Sequence, residues 1–225
     1  MLNPQAETLI ITSKCSGGCG PCPFGSGLLP QRFLPAERIV ERLCSSAAPL
    51  VVLTGGEPLE HPEFSEIVEL LAARSTDGCL APFRIATGGH IAFSEIDLKR
   101  LKNITSFTGI SLGTDVLSEV CSKRAEHSLI WNQNVQLFNL LGFPYSLTLT
   151  LHEPPRNALP ASGSGVLQRV ETDCEKLKPL MRAKELGASP EYLYLRISAT
   201  GAASEEFYDE FQRELGEIRV LFDRF

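Results

Sequence analysis

Short apolar runs alternate with helix-length segments along the chain, and this alternation constrains the fold more than any other feature. Residues 7–13, 49–54, 82–87, 106–112, 144–151 and 191–198 read as strands, and residues 36–45, 62–74, 94–102, 130–141, 167–186 and 203–224 as helices. Pro35 and Pro62 suit helix starts, where a missing N–H costs nothing, and Gly142 suits a helix end. The run from Pro49 to Thr54 is apolar almost throughout, the pattern of a strand covered on both faces. Six strands separated by helices predict βαβ units, hence an α/β fold with a parallel sheet in a single domain over residues 1–225. Right-handed crossovers leave two forms open, a doubly wound sheet or a partial (β/α)6 barrel. In both, ligand sites gather at the C-terminal ends of the strands.

The last two strands indicate what the sheet encloses. Ser146, Thr148, Thr150 and His152 alternate with Leu147, Leu149 and Leu151, and Tyr192, Tyr194, Arg196 and Ser198 alternate with Leu193, Leu195 and Ile197. The leucine faces belong under helices, and the polar faces then line an interior that is wet or holds a ligand. His152 and Arg196 are the substrate-facing catalytic candidates, Arg196 because a guanidinium is costly to bury without an anion. Residues 153–165, rich in Pro, Ser and Gly, read as a loop over the strand ends, suited to a lid.

Directly after the first strand comes Cys15-Ser16-Gly17-Gly18-Cys19-Gly20-Pro21-Cys22. C-x3-C-x2-C gives three thiolates for three irons of a 4Fe–4S cluster and leaves the fourth iron open. Cys19-Gly20-Pro21-Cys22 also has the form of a thiol–disulfide redox pair, which would make the protein an oxidoreductase of another class. Such a pair opens a helix, whereas Cys22 is followed by Pro23-Phe24-Gly25-Ser26-Gly27. Zinc would need a second short-spaced pair, and none is present. Cys44, Cys79, Cys121 and Cys174 are not spaced as a second cluster, and Cys44 reads as a small buried hydrophobe on its helix. Seven cysteines, three of them crowded into eight residues, fit a metal site in a reducing compartment, so a cytoplasmic protein is expected. No basic segment with a following apolar stretch opens the chain, and no run has the length of a membrane span. The net charge of −6 argues against a nucleic-acid partner.

The triple cysteine after the first strand, together with Gly55-Gly56-Glu57-Pro58 after the second, resembles the radical S-adenosylmethionine (SAM) superfamily. The resemblance implies a partial barrel with a 4Fe–4S cluster on Cys15, Cys19 and Cys22, and SAM on the open iron. An electron from an external donor such as flavodoxin or ferredoxin then cleaves SAM, and a 5′-deoxyadenosyl radical takes a hydrogen from substrate. It implies SAM contacts from Gly55, Gly56, Glu57 and Pro58, from Thr87 and Ser111 at the ends of the third and fourth strands, and from Arg124 and Phe24. Two departures stand out: Pro21 replaces the usual aromatic residue before the third cysteine, and Gly113-Thr114-Asp115 replaces the usual Asp-Gly. His90 reads as a strand-end histidine rather than a ligand. The continuation Gly55-Gly56-Glu57-Pro58-Leu59-Glu60-His61-Pro62-Glu63-Phe64 is similar to the branch of peptide and protein maturases, here without the cysteine-rich SPASM or twitch extension. The implied substrate is a ribosomally made peptide or a small metabolite. A compact 7-carboxy-7-deazaguanine synthase-like or activating-enzyme-like protein is the alternative within the same superfamily.

Overall fold

The computed structural model describes residues 6–19, 22, 24, 30–117, 121–152, 182–183, 185–188 and 192–198. The strands are β1 (Glu7–Thr12), β2 (Val51–Gly55), β3 (Phe83–Thr87), β4 (Phe107–Gly113), β5 (Tyr145–His152) and β6 (Tyr192–Ser198). The helices are α1 (Ala36–Ser45), α2 (Phe64–Ser75), α3 (Glu95–Lys102) and α4 (Arg124–Leu141). Two short 3-10 turns, Pro58–Glu60 and Asp115–Leu117, follow β2 and β4. The expected lid over 153–165 and the helix over 203–224 lie outside the described residues. Of the helix over 167–186, the described residues are Arg182, Ala183 and Glu185, which are helical, and Leu186, which is in a turn.

The strands are ordered β1-β2-β3-β4-β5-β6, and every pairing from β1 to β5 is parallel. This order decides between the two forms left open by the sequence. A doubly wound sheet reverses its strand order at a switch point. Here each strand is added beside its predecessor, so right-handed crossovers place successive helices on one face and the sheet curls as a partial barrel. Accordingly α1 packs on α2, and α2 on α3.

Helical periodicity accounts for the outer layer. Ala36, Ile39, Val40 and Leu43 form one stripe of α1, and Phe64, Ile67, Val68 and Leu71 the corresponding stripe of α2, all buried. They meet the apolar face of the sheet, where Leu53, Ile85, Ile110 and Tyr145 are in register across β2 to β5. The other face carries Thr54, Arg84, Ala86, Ser111 and Ser146, a more polar set, as the alternation in β5 predicted. Ser111 and Ser146 are register partners with hydroxyl oxygens 3.4 Å apart, and Arg84 Nη1 donates to Ser111 Oγ at 3.3 Å.

Helix α4 begins at Arg124, six residues before the predicted start at 130. Its first two turns are polar and hide the period. Yet His127 and Asn134 continue the buried stripe of Trp131, Val135 and Phe138. The helix ends where expected, with Gly142 left-handed at φ 53°, and Lys102 Nζ donates to the terminal Leu141 carbonyl at 2.6 Å.

The chain divides into two compact units. The first is Met1–Leu149 with Lys178–Tyr194, and the second is Thr150–Leu177 with Leu195–Phe225. Among the described residues no helix is long and apolar enough to cross a membrane. Cys44 is not an isolated hydrophobe but is paired with Cys79 in a disulfide between the end of α1 and the segment after α2. Cys174 lies outside the described residues.

Candidate functional site

The cysteine loop is anchored through backbone contacts with the segment after β2. Gly56 N–H donates to Thr12 O at 2.7 Å, Glu57 N–H to Lys14 O at 2.8 Å, and Ser16 N–H to Glu60 Oε1 at 2.6 Å. The approach is so close that a Cβ on Gly55 would collide with the Thr12 carbonyl, and one on Gly56 with the Lys14 carbonyl. The close approach that these glycines permit is therefore to the backbone leading into Cys15. The returning strand of the loop is tied as well. Ser13 N–H donates to Arg32 O at 3.0 Å and Leu34 N–H to Ile11 O at 2.8 Å. His61 Nδ1 accepts the Glu63 amide at 3.1 Å, which leaves Nε2–H to donate to Leu34 O at 2.9 Å. Pro58 is buried and opens the 3-10 turn.

Glu57 is fully buried and forms the hub of the strand ends. Oε1 accepts from Thr87 Oγ1 at 2.6 Å and Leu59 N–H at 3.2 Å, and Oε2 from Gly88 N–H at 3.0 Å. Burial raises its pKa to about 7, against the hydrogen bonds from Thr87, Leu59 and Gly88. The Thr87 hydroxyl donates to Glu57 and accepts Gly89 N–H at 2.9 Å.

His90 stands beside this hub. Nδ1 is 3.5 Å from Glu57 Oε2 and Nε2 is 3.4 Å from Glu60 Oε1, yet neither nitrogen makes a hydrogen bond among the described residues, and the side chain is 3% exposed. Its ring lies against His127, centroids 4.8 Å apart. Desolvation, and then the His127 charge, lower the His90 pKa, and desolvation lowers that of His127, so both imidazoles are neutral near pH 7. Burial opposes ionisation of Glu60, but the Ser16 hydrogen bond and then the nearby His90 imidazole outweigh it and hold the carboxyl below its ordinary value. Asn134 fixes the loop that carries His90. Its Oδ1 accepts Phe93 N–H at 2.9 Å, and its Nδ2 donates to Gly89 O at 3.0 Å and Ile91 O at 2.9 Å. Nothing in the sequence pattern marked Asn134 or Arg84.

Cys15, Cys19 and Cys22 are free and half-buried. Gly17 N–H donates to Cys15 Sγ at 3.4 Å, and Cys22 N–H donates to Cys19 O at 3.1 Å, closing a turn. Sγ of Cys15 also groups with a Glu60 carboxylate oxygen and a His90 nitrogen within 4.8 Å of one another. His90, read from the sequence as a strand-end residue, thus faces the metal-ligating loop. Burial pushes the Cys15 thiol up to about 11, helped by Glu57 and Glu60, and burial and Cys121 push Cys19 higher still. Bare thiolates at Cys15 and Cys19 are costly here, so a bound cation would be needed to hold them deprotonated. Raised thiols do not suit the redox pair, whose attacking thiol needs a lowered pKa. Three thiols on one backbone turn thus fit a 4Fe–4S cluster, the donor set such a cluster requires.

The remaining predicted residues divide. Ser111 is buried on the polar face of β4. Arg124 opens α4, its N–H donating to Cys121 O at 3.2 Å, and Phe24 is half-buried in a turn of the cysteine loop. His152 and Arg196 lie in β5 and β6, and their side chains are outside the described residues.

The family model of the radical SAM superfamily matches residues 9–152, from β1 through β5. The chain belongs to the radical SAM superfamily. The superfamily's cofactors are a 4Fe–4S cluster and SAM. No curated protein matches it. Among solved structures, SuiB of Streptococcus suis bound to S-adenosylmethionine has a TM-score of 0.62 at 12% identity, covering 98% of this chain and 48% of SuiB. SuiB bound to its precursor peptide SuiA gives 0.60 at 10%, covering 96% and 47%. Native anSMEcpe with AdoMet and the Cp18Cys peptide gives 0.58 at 17%, covering 95% and 59%. The likeness at these identities is one of fold, and the chain spans about half the length of these radical SAM proteins.

Proposed function

We propose that this radical SAM enzyme takes a hydrogen atom from an unactivated carbon of a ribosomally made peptide. Cys15, Cys19 and Cys22 hold the cluster, and a flavodoxin- or ferredoxin-like protein delivers the electron. The cluster and SAM together supply the 5′-deoxyadenosyl radical. The chain supplies position and a site closed to water. The Gly55–Pro58 segment holds the cysteine loop against the strand ends, beside which SAM binds. Ser111 meets SAM from β4, Arg124 pairs with its carboxylate, and Phe24 lies against its adenine. His152 and Arg196 face the substrate.

The observation that carries this reading is the pair of backbone hydrogen bonds from Gly56 and Glu57 to Thr12 and Lys14, which hold the triple-cysteine loop at the strand ends. The peptide class is supported by the Gly55–Phe64 run and by two fold neighbours whose structures contain peptides.

Anaerobic reconstitution with iron and sulfide tests the first part. The protein should turn brown and release 5′-deoxyadenosine from SAM and dithionite, and a Cys15→Ala, Cys19→Ala, Cys22→Ala triple variant should do neither. Precursor peptides deuterated at side-chain and α carbons test the second, the expected result being deuterium in the 5′-deoxyadenosine. Cleavage without peptide-derived deuterium, but with deuterium from a small metabolite, rejects the peptide class alone.

A further inference from the structure

One peptide of the cysteine loop is held at both ends. The Ser16–Gly17 peptide donates its N–H to Cys15 Sγ at 3.4 Å, and its carbonyl accepts from Lys123 Nζ at 3.2 Å, although Lys123 lies 107 residues further along the chain. A trans peptide is planar, with its C=O and N–H pointing in opposite directions. Fixing the oxygen on Lys123 therefore aims the N–H at the sulfur. The next two carbonyls are held by the same short segment. The Cys121 thiol donates to Gly17 O at 3.3 Å, and Ser122 Oγ donates to Gly18 O at 3.3 Å. Gly18 is left-handed at φ +64°, and a Cβ there would stand 2.7 Å from Ser122 Oγ, a close approach that glycine leaves open.

Helix formation does not explain a lysine at this position. Lys123 is the N-cap of α4, where Ser, Thr, Asp or Asn would satisfy a free amide, and its side chain makes no cap. A cation there also stands at the positive end of the helix dipole, which disfavours it. The side chain leaves the helix and reaches the loop instead. The charge it brings opposes those around it. Ser16 N–H, on the preceding peptide, donates to the Glu60 carboxylate at 2.6 Å. Lys14, another cation of the loop, stands 3.9 Å from Glu60 Oε2, so its charge is offset in an ion pair. The Lys123 ammonium rests on a neutral carbonyl, one peptide away from a sulfur that ligates the cluster.

We propose that Lys123 raises the reduction potential of the cluster, by placing its ammonium on the Ser16 carbonyl and so holding the Gly17 N–H on the Cys15 sulfur. The potential of a 4Fe–4S cluster is set by its charge, by hydrogen bonds to its sulfurs and by exposure to solvent. Reduction adds one electron to the cluster, moves no proton, and makes or breaks no bond in the chain. The added negative charge is stabilised by the N–H donor and by the fixed positive charge behind it, so both act in the same direction. Joined through one peptide, the two hydrogen bonds also polarise each other. Lys123 is thus a positioning residue that acts through the Ser16–Gly17 peptide.

The inference rests on the cluster reading above, and the test separates the two. Wild type, Lys123→Met, Lys123→Arg and Lys99→Met are reconstituted anaerobically, and their iron and sulfide are counted. Each is then titrated with dithionite against mediator dyes with no SAM present, electron paramagnetic resonance reading the reduced cluster. A wild-type protein that takes up no cluster refutes the cluster reading, and this proposal with it. With the cluster present, Lys123→Met should load as the wild type does but have a lower potential. Its ratio of reduced to oxidised cluster at a fixed ambient potential should drop severalfold, a tenfold drop being about 59 mV for one electron. Lys123→Arg keeps the charge and the donor and should keep the wild-type potential. Lys99→Met removes the same charge from α3, where Lys99 pairs with Glu95 at 2.6 Å, and should leave the potential unchanged. An unchanged potential in Lys123→Met overturns the proposal, as does an equal fall in Lys123→Arg or in Lys99→Met. A Lys123→Met protein that loads no cluster overturns it as well, because the lysine then only holds the loop in place.

Discussion

Replacing Gly55 by alanine tests whether the end of β2 holds the cysteine loop by contact between two backbones. Gly55 sits at φ +131°, and an added Cβ would collide with the Thr12 carbonyl and lie 2.9 Å from Ile10 Cγ2. A residue forced into so sparse a backbone region costs on the order of 1–3 kcal/mol. The collision is with backbone, so it is relieved only if β2 moves away from β1. That movement lengthens the Gly56–Thr12 and Glu57–Lys14 hydrogen bonds, now 2.7 and 2.8 Å. Each is worth about 1 kcal/mol, and more if its groups stay buried without partners. The total is about 3–5 kcal/mol, a large share of the roughly 5–15 kcal/mol available to a domain. Gly78→Ala is the control: its φ is +66° with nothing within 4 Å of the added Cβ, so it carries a backbone cost of about 1–2 kcal/mol only. Urea unfolding of both variants reads the difference, and iron uptake reads its consequence for the loop. Gly55→Ala should unfold at much lower urea and take up little iron, while Gly78→Ala should load normally. If the two variants unfold within about 1 kcal/mol of each other, the cramped backbone contact does not hold the loop and the reasoning fails.

Two further predictions concern the hub and its support. Asn134→Ala strips three hydrogen bonds from the loop carrying His90 and should cost about 3 kcal/mol, with the Phe93 amide losing protection in hydrogen exchange while the β2 amides keep theirs. Glu57 gives a pH dependence whose sign follows from its burial. Its folded pKa of about 7 stands above the ordinary 4.5, so the folded protein holds this proton more tightly than the unfolded chain does. The stabilisation is complete below about pH 4.5 and is lost as pH rises through about 7, amounting to roughly 3 kcal/mol in all. His90 and His127 are shifted down and contribute with the opposite sign, so the readout is the difference between wild type and Glu57→Gln. Unfolding free energies from pH 5 to 8 should show the wild type losing stability relative to the variant, and a constant difference would remove the buried ionisation from the account.

The sequence by itself determined the repeating unit and the metal-ligating loop. Strand and helix periods are local properties of consecutive side chains, and so is C-x3-C-x2-C, because one turn of glycine-rich backbone suffices to bring its thiols together. α1, bounded at 36–45 from its pattern, has those bounds in the fold. α4 began six residues early because His127 is polar in the sequence yet buried in the protein, and a hydrophobic period cannot register a polar residue that finds its partner across space.

Only the tertiary structure decided the rest. The strand order chose a one-way curl over a doubly wound sheet, a choice set by which edges pair and not by any one strand. Thr87 turned toward Glu57, and Gly55 and Gly56 toward Thr12 and Lys14, because the strand ends crowd together there. Cys44 and Cys79, unrelated by spacing, became a pair. Cys121, equally unmarked, arrived beside Cys19 because the segment after β4 and the segment after β1 meet at the same end of the sheet. A motif records residues that are neighbours along the chain, and a neighbour delivered by another strand has no spacing to betray it.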